Sequence, residues 1–234
     1  MTAAPARQLA LALGHRPALG AGDFLVAAAN RDAVAWIDRW PDWPATGLVL
    51  HGPPGCGKTH LVAVWCARTG TTALPAAALG AVGPDAALGA NPALAIEDID
   101  RGVDETALFH LFNMASERGV KLLLSARTPP GRLRVALPDL DSRLCALPAV
   151  AISAPDDDLL AALLVKQFAD RQVTVAPEVI EFLIARIERS FAAAQRAVDA
   201  LDRGAMARRR RITVALAREL LTELTTEQTD TGGT

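Results

Sequence analysis

Gly52-Pro53-Pro54-Gly55-Cys56-Gly57-Lys58-Thr59 decides how this chain is read. The stretch fits the spacing G-x-x-x-x-G-K-[ST] of a phosphate-binding loop. An apolar run, Gly47-Leu48-Val49-Leu50-His51, precedes it, and a helical pattern starts near Lys58. Strand, glycine-rich turn and helix in that order let successive backbone N–H groups surround phosphate oxygens at a helix N-terminus. Gly52, Pro53, Pro54, Gly55, Cys56, Gly57, Lys58, Thr59 and His60 are therefore expected to line a nucleotide. Lys58 is expected at the β and γ phosphates, and the Thr59 hydroxyl on Mg²⁺.

Outward from the loop, strand and helix signals alternate through residues 24–154. Apolar residues at 33, 36, 37 and 40 share one helical face, and Pro41 and Pro44 stop that helix. Strands are expected at 47–50, 71–74, 94–96, 120–125 and 150–152. Helices are expected over 58–69 and after Asp104, a capping residue, with Gly119 as the stop. Residues 75–93 are rich in Ala, Gly and Pro, and leave helix and loop both open. Short apolar strands separated by helices predict an α/β fold: a parallel sheet covered by helices on both faces. From residue 155 the pattern turns wholly helical, with segments at 156–172, 177–188, 190–207 and 214–224. That is a small all-α domain over 155–224. Residues 1–23 read as a flexible arm and 225–234 as a polar, disordered tail.

The bulk properties narrow the function classes. The chain has 234 residues, 51% of them hydrophobic, and a net charge of −2. That charge gives no general attraction to nucleic acid or membranes. The three cysteines are far apart, which fits a reducing compartment without a disulfide framework or zinc site. No leader-like segment and no membrane-length apolar run is evident, so a cytoplasmic protein with no membrane partner is expected.

Leu94-Ala95-Ile96-Glu97-Asp98 puts two acids at the tip of a buried strand, where a phosphate-loop protein holds Mg²⁺ and the attacking water. Glu97 takes the metal side and Asp98 the water side. Glu97 is one methylene longer than the usual Asp, which favours a water-mediated metal contact. Ser125 ends the next strand. It can reach a γ-phosphate or serve as a cap, and its chemistry alone leaves both open. Arg143, in Leu137-Pro138-Asp139-Leu140-Asp141-Ser142-Arg143-Leu144, reads by itself as a surface salt bridge.

Taken together, the phosphate loop, Ile96-Glu97-Asp98-Ile99, Ser125-Ala126-Arg127-Thr128-Pro129-Pro130, the segment around Arg143 and Phe24-Leu25-Val26-Ala27-Ala28-Ala29-Asn30 resemble the AAA+ superfamily. Within it they are similar to the DnaA-type initiators, and more closely to the Hda/HdaA-type DnaA-related regulators. The resemblance implies a AAA+ core with a helical lid, ADP or ATP with Mg²⁺, and Asn30 on the adenine side. It implies that Glu97, Asp98 and Ser125 belong to the catalytic apparatus, and that Arg143 is an arginine finger aimed at a partner's nucleotide. DnaA carries a DNA-binding domain after its lid, and the roughly ten residues after 224 are too few to build one. DNA contact is accordingly expected to be indirect or weak, although the run Arg208-Arg209-Arg210-Arg211 offers positive charge.

In the arm, Gln8-Leu9-Ala10-Leu11-Ala12-Leu13 reads on its own as a helix turn or a staple onto the core. The resemblance makes Gln8, Leu9, Leu11 and Leu13 a motif for the sliding clamp of DNA polymerase III. The implied function is a regulator, itself a weak or partner-dependent ATPase, that stimulates ATP hydrolysis by DnaA and so restrains replication initiation. The rival expectation is a self-associating AAA+ ATPase that loads a helicase or assists DnaA-like assembly. In one respect the chain departs from the family: Ala192 stands where the lid usually presents a phosphate-sensing arginine. Arg189 and Arg196 are the candidate replacements.

Overall fold

A computed structural model describes residues 25–230. Among these residues it divides into two compact units, one of residues 25–155 together with 190–192, and one of 156–189 and 193–230. The expected arm over 1–23, with its clamp motif, lies outside the described residues.

In the first unit, α1 (Arg31–Asp38) leads to β1 (Gly47–His51), the glycine loop and α2 (Lys58–Thr69). β2 (Ala73–Pro75) follows, and then the stretch whose sequence was uninformative. That stretch forms a 3₁₀ turn, α3 (Leu79–Val82) and α4 (Pro84–Leu88). Leu79 and Leu88, both fully buried, anchor it, and Gly83 at φ +82° separates the two helical turns. β3 (Ala93–Glu97), α5 (Glu105–Arg118), β4 (Lys121–Ala126), α6 (Pro138–Ala146) and β5 (Ala149–Ala151) complete the unit.

The strands form one sheet in the order β2-β3-β4-β1-β5, and every pairing is parallel. Alternate residues feed opposite faces. Leu48, Leu50, Ala93, Ala95 and Leu123 join Trp65 and Ile37 in one core cluster. Val49, Leu94, Ile96, Leu122 and Leu124 join Leu108, Leu111 and Phe112 in the other. Trp65, fully buried, stacks on Trp43 (centroids 5.5 Å apart) and meets Trp40 edge-on at 6.2 Å. Asp104 caps α5 by accepting from the Ala107 N–H at 3.0 Å, and Gly119 closes it at φ +69°.

The second unit contains α7 (Asp157–Asp170), α8 (Pro177–Ile184), α9 (Phe191–Arg208, whose first two residues pack with the other unit) and α10 (Val214–Asp230). Asp156 caps α7 through the Leu159 N–H at 2.8 Å. Arg171 pairs with Asp199 and, at 3.9 Å, with Asp202. Gly204 lets Leu220 approach, since a Cβ there would lie 2.4 Å from a Leu220 methyl.

Two boundaries differ from expectation. α8 stops at Ile184 because the Arg186 and Ile187 N–H groups both turn back to the Leu183 carbonyl. α10 runs on to Asp230, through residues expected to be tail. Adding a residue to a formed helix costs little, and Glu and Gln are good helix formers.

Candidate functional site

The parallel register brings the chemistry to one edge. Leu50 aligns with Ser125, and Ile96 with Leu124, so the tips of β1, β3 and β4 end side by side. The glycine loop leaves β1, the acid pair leaves β3 and Ser125 closes β4.

The loop is shaped by glycine where nothing else fits. A Cβ on Gly52 would lie 2.0 Å from the Ile152 carbonyl oxygen. Gly55 and Gly57 take φ +71° and +102°, the left-handed region that L-residues avoid. Lys58 begins α2 and is 7% exposed. Its Nζ donates to the Gly52 carbonyl at 2.7 Å and the Pro53 carbonyl at 2.9 Å. An ammonium folded onto its own loop is a cation in want of an anion. Burial, and then the Lys58 charge, pushes the His51 imidazole below its usual range. Burial raises the Cys56 thiol despite Lys58. Pro53, Pro54, Thr59 and His60 are exposed, the last two on the first turn of α2.

Glu97 is half-buried, and its Oε1 is buried with no hydrogen-bond partner. Such an orphaned acceptor at the tip of β3 is suited to meet a cation or a water bound with one. Among the described residues no cluster of three or more His, Cys, Asp or Glu side chains is suited to a metal. Asp98 adopts φ +58°, a conformation Asp tolerates better than most residues. Two bonds from β4 hold it there. The Ser125 hydroxyl accepts from the Asp98 N–H at 3.1 Å, and the Ser125 carbonyl accepts from the Ile99 N–H at 2.9 Å. Ser125 is 1% exposed. Its hydroxyl oxygen holds the backbone of the acid pair, and its own O–H is left to donate, so both readings stay open. Asp98 also pairs with Arg101 at 3.7 Å.

Asn30 is buried with both ends of its amide in use. Oδ1 accepts from the Ala27 N–H at 2.9 Å, and Nδ2 donates to the Leu25 carbonyl at 2.8 Å. It shapes the 25–30 segment, which the Ser153 N–H ties to the end of β5 through the Ala29 carbonyl at 3.0 Å.

At the expected sensor position, Ser190, Phe191 and Ala192 pack with the phosphate loop's unit. The Phe191 N–H donates to the Gly55 carbonyl at 2.8 Å, and a Cβ on Gly57 would lie 3.5 Å from the Phe191 ring. The segment brings an aromatic ring and no charge. Arg189 is engaged elsewhere, donating twice to Asp157 at 2.9 and 3.2 Å. Arg196 is exposed on α9.

Arg143 is exposed on α6, and among the described residues no carboxylate pairs with it. The salt bridge that the residue alone suggested is replaced by a stack: its guanidinium lies 5.1 Å from the Phe109 ring centroid. Phe109 was absent from the sequence-derived site because it lies a strand and a loop away, on α5.

This arrangement has known counterparts. Domain III of the replication initiation protein DnaA from Thermotoga maritima superposes with a TM-score of 0.73 at 17% identity, over 86% of this chain and 94% of that one. AMPPCP-bound DnaA from Aquifex aeolicus matches with a TM-score of 0.65 at 16% identity, over 76% of this chain and 63% of that one. The Thermotoga maritima RuvB Holliday junction branch migration motor gives 0.60 at 18%, over 76% and 61%. At these identities the likeness is one of fold. In sequence, residues 156–221 match the lid domain of Hda. An uncharacterised protein of Haemophilus influenzae is 32% identical over 118 residues, so the match spans about half of this chain and 51% of that relative. Sheet, phosphate loop and helical unit define the class, a AAA+ fold. The lid match narrows it in one part of the chain: residues 156–221 are similar to the lid domain of Hda, and the fold as a whole is similar to that of DnaA domain III. Among the described residues no helix is long and apolar enough to cross a membrane.

Proposed function

We propose that this protein is a nucleotide-bound regulator of replication initiation that completes the active site of DnaA rather than chiefly using its own. The observation that carries the reading is Arg143: exposed, unpaired by any carboxylate among the described residues, and steadied over Phe109. Its planar guanidinium, with five donors in a fixed fork, is suited to phosphate oxygens of a neighbouring molecule.

ADP or ATP would be held by the backbone of residues 52–60 with Lys58 at the phosphates. Mg²⁺ would be held by Thr59, phosphate oxygens and water, with Glu97 nearby; it would neutralise phosphate charge. Asp98, fixed by Ser125, would orient water in any hydrolysis by the protein itself. Ala192 in place of the phosphate-sensing arginine supports weak discrimination between ATP and ADP and slow intrinsic turnover.

Gln8, Leu9, Leu11 and Leu13 would dock on the DNA-loaded sliding clamp. Three leucines offer about 4.5–9 kcal/mol gross at 1.5–3 each, much of it offset by ordering the segment. Several sites on one ring would restore avidity. Bound there, the protein presents Arg143 to ATP on DnaA. A finger of this kind accelerates phosphoryl transfer by about 10³–10⁵.

The test is hydrolysis of DnaA-bound ATP with purified clamp, DNA and this protein. Arg143→Ala is expected to abolish stimulation while clamp binding persists. Changing Gln8 and Leu9 to Ala is expected to abolish clamp binding. Full stimulation by Arg143→Ala, or brisk ATP turnover by the isolated protein, would favour an autonomous AAA+ ATPase instead.

A further inference from the structure

Helix α6 is lightly held for an element that carries a finger. Its buried side chains are Leu140 and Leu144, and a cleft of about 410 Å³ opens beside it, lined in part by Val103, Glu105, Leu108 and both leucines. Two leucines fix depth against the core. They leave the helix free to pivot about its own axis and along the cleft, and either motion would swing Arg143.

Two side chains of α5 oppose those motions. Glu105, in the first turn, accepts from the Leu137 N–H at 2.7 Å and the Ala136 N–H at 3.0 Å, one with each carboxylate oxygen. These are the last residues before α6, so the carboxylate grips the point where the helix begins. Charge-assisted bonds to two successive backbone donors form a directional clamp. One turn along α5, Phe109 carries the Arg143 guanidinium at 5.1 Å, within the range of a cation–π contact. The first fixes the start of α6 and the second fixes the tip of its arginine.

We infer that Glu105 and Phe109 are positioning residues that together aim Arg143, with α5 serving as the rigid mount for the finger. The inference rests on the proposed role of Arg143. Phe109 supplies a flat, weakly attractive face, so the guanidinium is pre-oriented yet released when a stronger anion is offered. A carboxylate in its place would hold the arginine and compete with the phosphate.

The experiment is single-turnover hydrolysis of DnaA-bound ATP on DNA-loaded clamp, titrated with Glu105→Gln, Phe109→Leu, Phe109→Trp and Arg143→Ala. Gln offers one acceptor oxygen where Glu offers two, and Leu keeps apolar bulk without a π face. Glu105→Gln and Phe109→Leu should each lower the maximal rate about 10–100-fold, the scale on which misplacement of a reacting group operates. Half-saturation should stay within about twofold of wild type, and Phe109→Trp should restore the rate. A merely structural role would shift half-saturation or the melting temperature and leave the maximal rate intact. Wild-type maximal rates in both Glu105→Gln and Phe109→Leu, with Arg143→Ala inactive, would overturn the positioning inference alone. Wild-type stimulation by Arg143→Ala would overturn the finger itself. If Glu105→Gln does not fold, the Phe109→Leu and Phe109→Trp pair decides.

Discussion

Replacing Ser125 by alanine separates two roles for one hydroxyl. In the structure its Oγ accepts the Asp98 N–H at 3.1 Å and the residue is 1% exposed. Truncation leaves that N–H without a partner, a loss of about 1–3 kcal/mol for a buried donor. Asp98 is half-buried, so the lower part applies, about 1–2 kcal/mol. For a protein of this size each kcal/mol moves the melting temperature by roughly 2–4 °C, giving a fall of about 2–8 °C. Affinity for a non-hydrolysable ATP analogue should change less than about threefold if the hydroxyl serves only the Asp98 N–H. Had the serine met phosphate directly, a hydrogen bond to a charged group, worth about 1.5–3 kcal/mol, would be lost. Binding would then weaken by about 10–150-fold. Thermal unfolding of the nucleotide-free protein and titration with a fluorescent, non-hydrolysable ATP analogue measure both quantities. An unchanged melting temperature with tenfold weaker binding of that analogue would refute the positional account.

Other outcomes follow from the same geometry. Gly52→Ala places a Cβ 2.0 Å from a backbone oxygen, so the loop must deform; isothermal titration should find ADP binding about 5–150-fold weaker, given that one strained contact of this kind costs of order 1–3 kcal/mol. Arg189→Ala should leave nucleotide affinity within about twofold in the same assay, because that guanidinium is bound to Asp157. Burial, and then the Glu97 charge, holds the Cys66 thiol up to about 11 against an ordinary 9.0. The folded state therefore keeps a proton that the unfolded state gives up, so stability present below pH 9 should decline as pH rises toward 11. Chemical denaturation across that window should show a shallower decline in Cys66→Ala. At pH 8, mass spectrometry after brief alkylation should find exposed Cys145 modified well before buried Cys56 and Cys66.

The phosphate loop, the parallel sheet and the lid helices were legible because each depends on local spacing: glycines in fixed order, apolar runs of strand length, leucines three and four apart. The placement of Glu97 and Asp98 at the end of β3 was legible because a short apolar run stops there. Residues 75–93 were not, since alanine and glycine carry no facial pattern; only Leu79 and Leu88 anchor them, and a pair of leucines sets no period. The use of Ser125 was hidden because its partner is a backbone N–H 27 positions away on another strand. The stack of Arg143 on Phe109 was hidden for the same reason, since α5 and α6 meet only through the fold. Asn30 was placed near the site by resemblance, while its two backbone bonds belong to the folded chain alone.

β1 lies between β4 and β5, strands that leave the ribosome long after it. The rim of the glycine turn is closed by Ile152, whose N–H bonds the His51 carbonyl at 2.7 Å and whose oxygen abuts Gly52. A nascent chain arrested before that point has made every residue of the loop and none of its outer wall. The turn therefore has its final shape only when the last strand of the sheet has been supplied, so the loop is the product of the finished unit rather than of its first half.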